Sequence, residues 1–176
     1  MIDERLAMIA KTIRDVPDFP KKGIVFKDIT PLLADPTAFV ASLDVLAERY
    51  ASDRPDVIVG VESRGFIFGA ALAARMTASF VPVRKAGKLP WDSVSMEYEL
   101  EYGTDVIEMH VDAFPKGAKV LVIDDLIATG GTAWATCELV KQQGGELLGA
   151  AFVVELGFLK GRERLAGVDV FSVLTY

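Results

Sequence analysis

The sequence predicts an α/β fold: a central, mostly parallel, twisted sheet flanked by helices. Short apolar runs rich in β-branched residues, VIVGV at 57–61 and VLVI at 120–123, read as strands buried on both faces. Segments with apolar residues at helical spacing alternate with them, at 66–76 and 134–142. No repeat, charge block or linker interrupts this alternation, so right-handed βαβ units in one domain spanning residues 1–176 are expected.

The elements follow in chain order. Residues 3–14 place Leu6, Ile9, Ala10 and Ile13 at helical spacing, and Pro17 closes that segment. Residues 18–36 are dense in Pro and Gly and read as a structured loop with one short strand. Asp35 before Pro36 signals a helix start, and Phe39, Leu43, Leu46 and Ala47 continue it to about Tyr50. After the 57–61 strand and ESRG comes the 66–76 helix, then a strand at 80–83. Residues 86–103 read as a long loop, with Trp91 and Tyr98 as anchors; such loops are usually functional, and a lid is expected here. A strand with one wet side is expected at 105–111, and buried strands at 120–123, 150–154 and 168–174. In such folds ligands bind beyond the carboxyl ends of the strands.

Composition excludes several classes of function. Nineteen Lys and Arg against 25 Asp and Glu give a net charge of −6. General attraction to nucleic acid or an anionic membrane is therefore not expected, and an anionic ligand needs a local cluster of cations. Cys137 and His110 are the only residues of their types. An intramolecular disulfide, a cysteine-built zinc site, a catalytic triad and a His-rich metal centre are thereby excluded. MIDERLAMIA lacks the basic start of a signal peptide, and the weakly polar stretch 65–74 is far below the ~20 residues of a membrane span. A cytoplasmic protein is expected.

The most specific string is VLVIDDLIATGGT at 120–132: a buried strand, two carboxylates, then a Gly-rich turn leading into a helix. Gly130 and Gly131 let backbone amides approach a phosphate, Thr129 and Thr132 add hydroxyl donors, and the helix N-terminus adds its dipole. Asp124 and Asp125 would repel a phosphate. At the strand end they suit vicinal sugar hydroxyls, or Mg²⁺ held through water. A bare Gly-Gly pair would be only a turn, but the whole string describes a cradle for a sugar phosphate. The Walker and dinucleotide fingerprints are absent.

This string resembles the phosphoribosyl pyrophosphate (PRPP) signature of type I phosphoribosyltransferases. PDFPKKGIVFKDITPLL (17–33), VESRGFIFG (61–69), RKAGKLP (84–90), YELEYG (98–103) and VELGFLKGRERL (154–165) narrow the resemblance to the adenine phosphoribosyltransferases. The segments lie in family order and cover nearly the whole chain. The resemblance implies the type I fold with a small hood from about residues 1–35, and 86–103 as the lid. It further implies transfer of ribose 5-phosphate from PRPP to adenine, giving AMP and pyrophosphate, with Mg²⁺ and in a homodimer.

It also implies roles residue by residue. Asp124, Asp125, Ala128, Thr129, Gly130, Gly131, Thr132 and Tyr102 are matched to phosphate and ribose. Glu62, Ser63, Arg64, Arg84, Lys85 and Lys88 are matched to pyrophosphate, with a non-proline cis peptide expected between Glu62 and Ser63. Arg64 lies close to both substrates in the family, and Glu101 matches its catalytic glutamate, suited to exchanging a proton with a purine nitrogen. Val25, Phe26 and Lys27, through backbone, and Leu156, through an apolar side chain, are matched to adenine. Lys27 stands where relatives often carry arginine, and lysine cannot reproduce a planar fork. A transferase for 6-oxo purines would lack the PDFP and LEYG segments. A PRPP-sensing regulator would need a DNA-binding module, for which residues 1–16 are too few.

Overall fold

The computed structural model describes residues 4–19, 21–99 and 103–176. Helix α1 (Glu4–Lys11) is shorter than its periodicity suggests, because the chain turns at Thr12 and becomes strand β1 (Arg14–Pro17). Strand β1 pairs antiparallel with β2 (Val25–Asp28), and Arg14 faces Asp28 across the ladder with a 2.5 Å ion pair. Pro17 thus ends a strand rather than a helix. Arg-Asp-Val-Pro carries little apolar signal, and only its partner 14 residues on makes it a strand. Helix α2 (Thr30–Ala34) also falls where a loop was expected. Helix α3 (Pro36–Arg49) starts as expected, with the Asp35 carboxylate accepting from the amides of Thr37 and Ala38 at 2.9 and 3.0 Å.

The remaining elements are β3 (Val57–Val61), α4 (Gly65–Met76), β4 (Ser79–Lys85), β5 (Ser93–Glu99), β6 (Thr104–His110), β7 (Lys119–Ile127), α5 (Gly131–Gln142), β8 (Glu146–Glu155) and β9 (Val170–Thr175). Two 3₁₀ turns, Gly157–Leu159 and Gly161–Leu165, lie between β8 and β9. Apart from the β1–β2 ribbon, the strands form a seven-stranded sheet in the order β5-β6-β4-β3-β7-β8-β9. The pairs from β4 to β9 are parallel, and β5 and β6 join antiparallel at one edge.

Strand β5 corrects the reading of 86–103 as a loop. SVSMEYE alternates strictly, with Val94, Met96 and Tyr98 inward and Ser93, Ser95, Glu97 and Glu99 exposed. That period of two was present in the sequence, hidden by the low apolar content of the whole segment. Tyr98 is an anchor as expected, at 5% exposure, but Trp91 at 65% is not.

The core lies on both faces of the sheet. Ile58, Leu121, Ile123, Ala151 and Val153 pack with α1, α2, α3 and α4, while Val57, Val59, Val120, Val122 and Phe152 pack with α5. Neighbouring residues of one strand point to opposite faces, so double burial demands a continuous apolar run. Cys137 is a packed residue of α5 and His110 a partly buried strand residue. Among the described residues no helix is long and apolar enough to cross a membrane.

Candidate active site

The chain runs outward from β3 to β4 on one side, then returns to add β7, β8 and β9 on the other. Between β3 and β7 the direction of winding reverses, and the crevice beyond such strand ends is the default ligand site. In register Gly60 faces Ile123, and Val61 faces Val83. Consequently Glu62 emerges level with Arg84 on one side and Asp125 on the other, residues 22 and 63 positions further along the chain.

On the β7 side, Asp124 and residues 126–133, the last three of them the start of α5, line a cavity of about 110 Å³. Gly130 has φ +81°, a left-handed conformation that favours glycine, and it turns the chain into α5. Thr129 is exposed and Ala128 half-buried. The hydroxyl of Thr132 donates to the phenol oxygen of Tyr98 at 3.1 Å, joining β5 to the first turn of α5.

The two carboxylates differ. Asp125 is 4% exposed and its Oδ2 accepts from Arg64 Nε at 2.5 Å. Burial opposes the charge of Arg64, but the charge of Asp125 and the hydrogen bond to it prevail, and the guanidinium is held above its ordinary pKa. Asp124 Oδ1 accepts from the Asp125 amide at 2.8 Å. Burial first, and the Asp125 charge second, push the Asp124 carboxyl well above the ordinary carboxylate range. Gly65 makes room for this group, since a Cβ there would stand 2.8 Å from Asp124 Oδ1.

On the β3 side one carboxylate gathers the cations. Glu62 accepts from Lys88 Nζ at 2.5 Å and from the Lys85 amide at 3.0 Å, and its Oε2 lies 3.4 Å from Arg84 Nε. Arg84 Nη1 donates to the Lys88 carbonyl at 3.1 Å, which folds residues 84–88 over the carboxylate. The Lys88 hydrogen bond, chiefly, lowers the Glu62 pKa to about 2. The Lys85 side chain turns away, to Asp105 at 3.0 Å. With Glu62, Tyr98, Asp105 and Thr132 it lines a second cavity, of about 210 Å³. The Glu62–Ser63 peptide is cis, as expected.

Arg64 connects this crevice to the β1–β2 ribbon, its guanidinium lying 5.8 Å from the centre of the Phe26 ring. Val16, Phe19, Phe26 and Asp28 border an aromatic cavity of about 260 Å³, with Phe19 edge-on to Phe26 at 5.3 Å. Val25 is exposed. The Lys27 ammonium is engaged elsewhere, 2.6 Å from Asp15 and 3.9 Å from the centre of the Tyr176 ring. Leu156 is 6% exposed, with its amide donating to the Ile127 carbonyl at 3.0 Å. Glu101 and Tyr102 lie outside the described residues.

Asp28, Tyr98 and Asp105 were not singled out for the site by the sequence. Asp28 accepts from the Thr30 hydroxyl and amide and from Arg14, and Thr30 chiefly lowers its pKa to about 2. The alternation in β5 could have found Tyr98. Nothing local marks Asp105, which acquires meaning by pairing with Lys85 and by facing Tyr98 across the β5–β6 ladder.

A phosphoribosyl transferase domain model matches residues 29–172 of the chain. The adenine phosphoribosyltransferase of Sorangium cellulosum is 56% identical over 99% of this chain and 90% of its own length. The structure of the Rhodothermus marinus adenine phosphoribosyltransferase superposes with a TM-score of 0.93 at 51% identity, covering 98% of this chain and 99% of that one. That of the Saccharomyces cerevisiae enzyme, complexed with an imino-altritol bisphosphate and adenine, gives 0.92 at 43% identity over 97% of this chain and 99% of that one. Fold, signature and similarity over almost the full length agree: the chain belongs to the phosphoribosyltransferase family and, within it, to the adenine phosphoribosyltransferases.

Proposed function

We propose that the chain transfers the ribose 5-phosphate group of PRPP to N9 of adenine, releasing pyrophosphate and forming AMP, a step of purine salvage. The observation that carries this reading is the juxtaposition at the β3–β7 crevice. An amide-lined loop with two carboxylates stands beside a cluster of cations, and Arg64 reaches from both towards an aromatic ribbon. A phosphorylated sugar with a charged leaving group needs these two kinds of anion site at a separation set by the pentose.

In this reading Ala128, Thr129, Gly130, Gly131 and Thr132 hold the 5′-phosphate, and Asp124 and Asp125 accept from the ribose hydroxyls. Arg84, Lys85, Lys88 and Arg64, with the Glu62–Ser63 backbone, take the pyrophosphate. The Glu62 carboxylate is itself an anion, so its task is to hold Arg84 and Lys88 in place. Adenine lies against the ribbon, read by the backbone of Val25, Phe26 and Lys27, with Leu156 on the apolar side. Lys27 contributes main chain only, since its ammonium is bound to Asp15. During transfer the bond from the anomeric carbon to the pyrophosphate oxygen breaks and the bond to N9 forms. Glu101 exchanges the purine proton, and Tyr102 touches the ribosyl group. Segment 86–103 is the lid, anchored by β5 and the buried Tyr98 and excluding water from an oxocarbenium-like centre, and residues 1–35 are the hood.

Mg²⁺ fits this arrangement as a companion of the substrate. Among the described residues no three carboxylate, His or Cys groups converge on one point. The ion would thus be held by pyrophosphate oxygens and water, bordered by Asp124 and Asp125. When bound it supplies charge neutralisation to the leaving group. A homodimer is the assembly we propose, as in the family.

Incubation with PRPP and Mg²⁺ plus adenine, hypoxanthine or guanine in turn tests the reading. Nucleotide from adenine alone is expected. Product from hypoxanthine alone would overturn the choice of base, and no product from any base would favour a PRPP sensor. Glu101→Gln is expected to lower kcat by about a hundredfold with little change in KM, and unchanged turnover would remove Glu101 from the mechanism.

A further inference from the structure

We propose that Arg162, locked to Glu155, is a positioning residue for the phosphate loop: it fixes Gly161 against Ala128 and Gly130 and thereby sets the spacing of the loop amides. This rests on the reading of 128–132 as the 5′-phosphate site.

The contact is backbone on backbone. A Cβ on Gly130 would stand 2.3 Å from the Gly161 carbonyl oxygen, and a Cβ on Gly161 would stand 2.2 Å from that of Ala128. The Ile127 side chain closes the remaining space beside Gly161, so the two segments touch without slack and a shift of one is passed to the other. Among the described residues the β7 ladder ends at Ile127, whose carbonyl takes the Leu156 amide. What backs it is the 3₁₀ turn Gly161–Leu165.

That turn is held at both ends. Leu165 is 2% exposed in the α5-side core. At the other end Arg162 forms a fork with Glu155, Nε to Oε1 at 3.1 Å and Nη2 to Oε2 at 2.6 Å, while Nη1 donates to the Val170 carbonyl at 2.6 Å. Ser172 completes the Glu155 shell at 2.6 Å. The Glu155 side chain is 9% exposed, so its charge is sheltered from solvent and bidentate geometry counts. Arg162 chiefly holds the Glu155 carboxyl below its ordinary pKa, as a persistent pair requires. The guanidinium thus ties the turn to β8 and β9 together, one residue from the contact with the loop.

The experiment compares Arg162→Lys and Glu155→Gln with a direct loop variant, Thr132→Val, by titrating AMP and pyrophosphate separately. Lysine keeps the charge but cannot form the fork. Arg162→Lys is expected to weaken AMP binding and raise the PRPP KM about tenfold, with pyrophosphate affinity unchanged and kcat at saturating PRPP within about twofold. Glu155→Gln should do the same, and the double variant should be little worse than either alone. If Arg162→Lys lowers thermal stability but leaves AMP affinity intact, the proposal is overturned. Equal loss of AMP and pyrophosphate affinity would also overturn it, because general loosening would then explain the result. If Thr132→Val weakens AMP while the Arg162 and Glu155 variants do not, the phosphate site stands and the positioning role fails. If none of the three affects AMP, the reading of the loop itself fails.

Discussion

Two strand ends lie side by side at the crevice, and in the function we propose they solve the problem of receiving an anion in different ways. At the β3 end the donors are long side chains, Arg84 and Lys88, gathered by the single carboxylate of Glu62. At the β7 end the donors are main-chain amides and two hydroxyls, with no cation in the turn itself. Side-chain cations carry full charge but must be ordered, and solvent ions compete with them. Amides carry partial charge but are held by the fold. The first device is therefore tunable by charge and salt, the second by backbone geometry alone.

The largest effect is expected where the backbone device is broken. Gly130→Ala adds a Cβ 2.3 Å from the Gly161 carbonyl at φ +81°. A loss of about a hundredfold in kcat/KM for PRPP is predicted, with AMP affinity falling in parallel and pyrophosphate affinity holding in titrations. Lys88→Ala should show the reverse selectivity. Removing the cation that is hydrogen-bonded to Glu62 is expected to weaken pyrophosphate about tenfold and AMP less than twofold. Equal effects of either substitution on the two ligands would erase the distinction between the ends.

Smaller effects sharpen it. Asp124→Asn keeps an acceptor for the Asp125 amide but relieves the crowding of a buried carboxylate beside Asp125. Thermal melts should show the variant more stable by about 1 kcal/mol while its PRPP KM rises several-fold, the usual cost of a site kept charged for function. Acid titration separates the groups further. Glu62 has its pKa depressed from 4.5 to about 2, so its ion pairs contribute stability that is complete above about pH 4.5 and lost as pH falls towards 2. Glu62→Gln should flatten that part of the unfolding profile. An unchanged profile would show that the cation cluster does not depend on this carboxylate.

The two ends were also unequally legible. The loop we propose for the phosphate is contiguous, and its glycines, hydroxyls and flanking strand stand within thirteen residues. Local chemistry was enough to propose it. The cations at 84–88 were equally visible as a group, but their partner Glu62 lies more than twenty residues away, and the β3–β4 register alone brings them together. The same separation explains what was missed. β1 has almost no apolar signal and exists because β2 pairs with it. β5 was overlooked although its alternation was complete, because the surrounding segment is polar. Gly161 and Arg162 were visible only as part of a resemblance. The contact of Gly161 with the loop crosses some thirty residues, and the Arg162 bonds beside it depend on where β8 and β9 lie.

By itself the sequence determined the layers of the fold, since double burial requires continuous apolar strands and amphipathic helices to cover them. It also determined the Gly-rich turn from β7 into α5, since a left-handed residue at the helix start favours glycine. The tertiary structure alone decided the pairings between distant charges: Glu62 with Lys88, and Arg64 with Asp125. Each depends on strand order and register, which are settled by summed burial over the whole sheet rather than by any short stretch of residues.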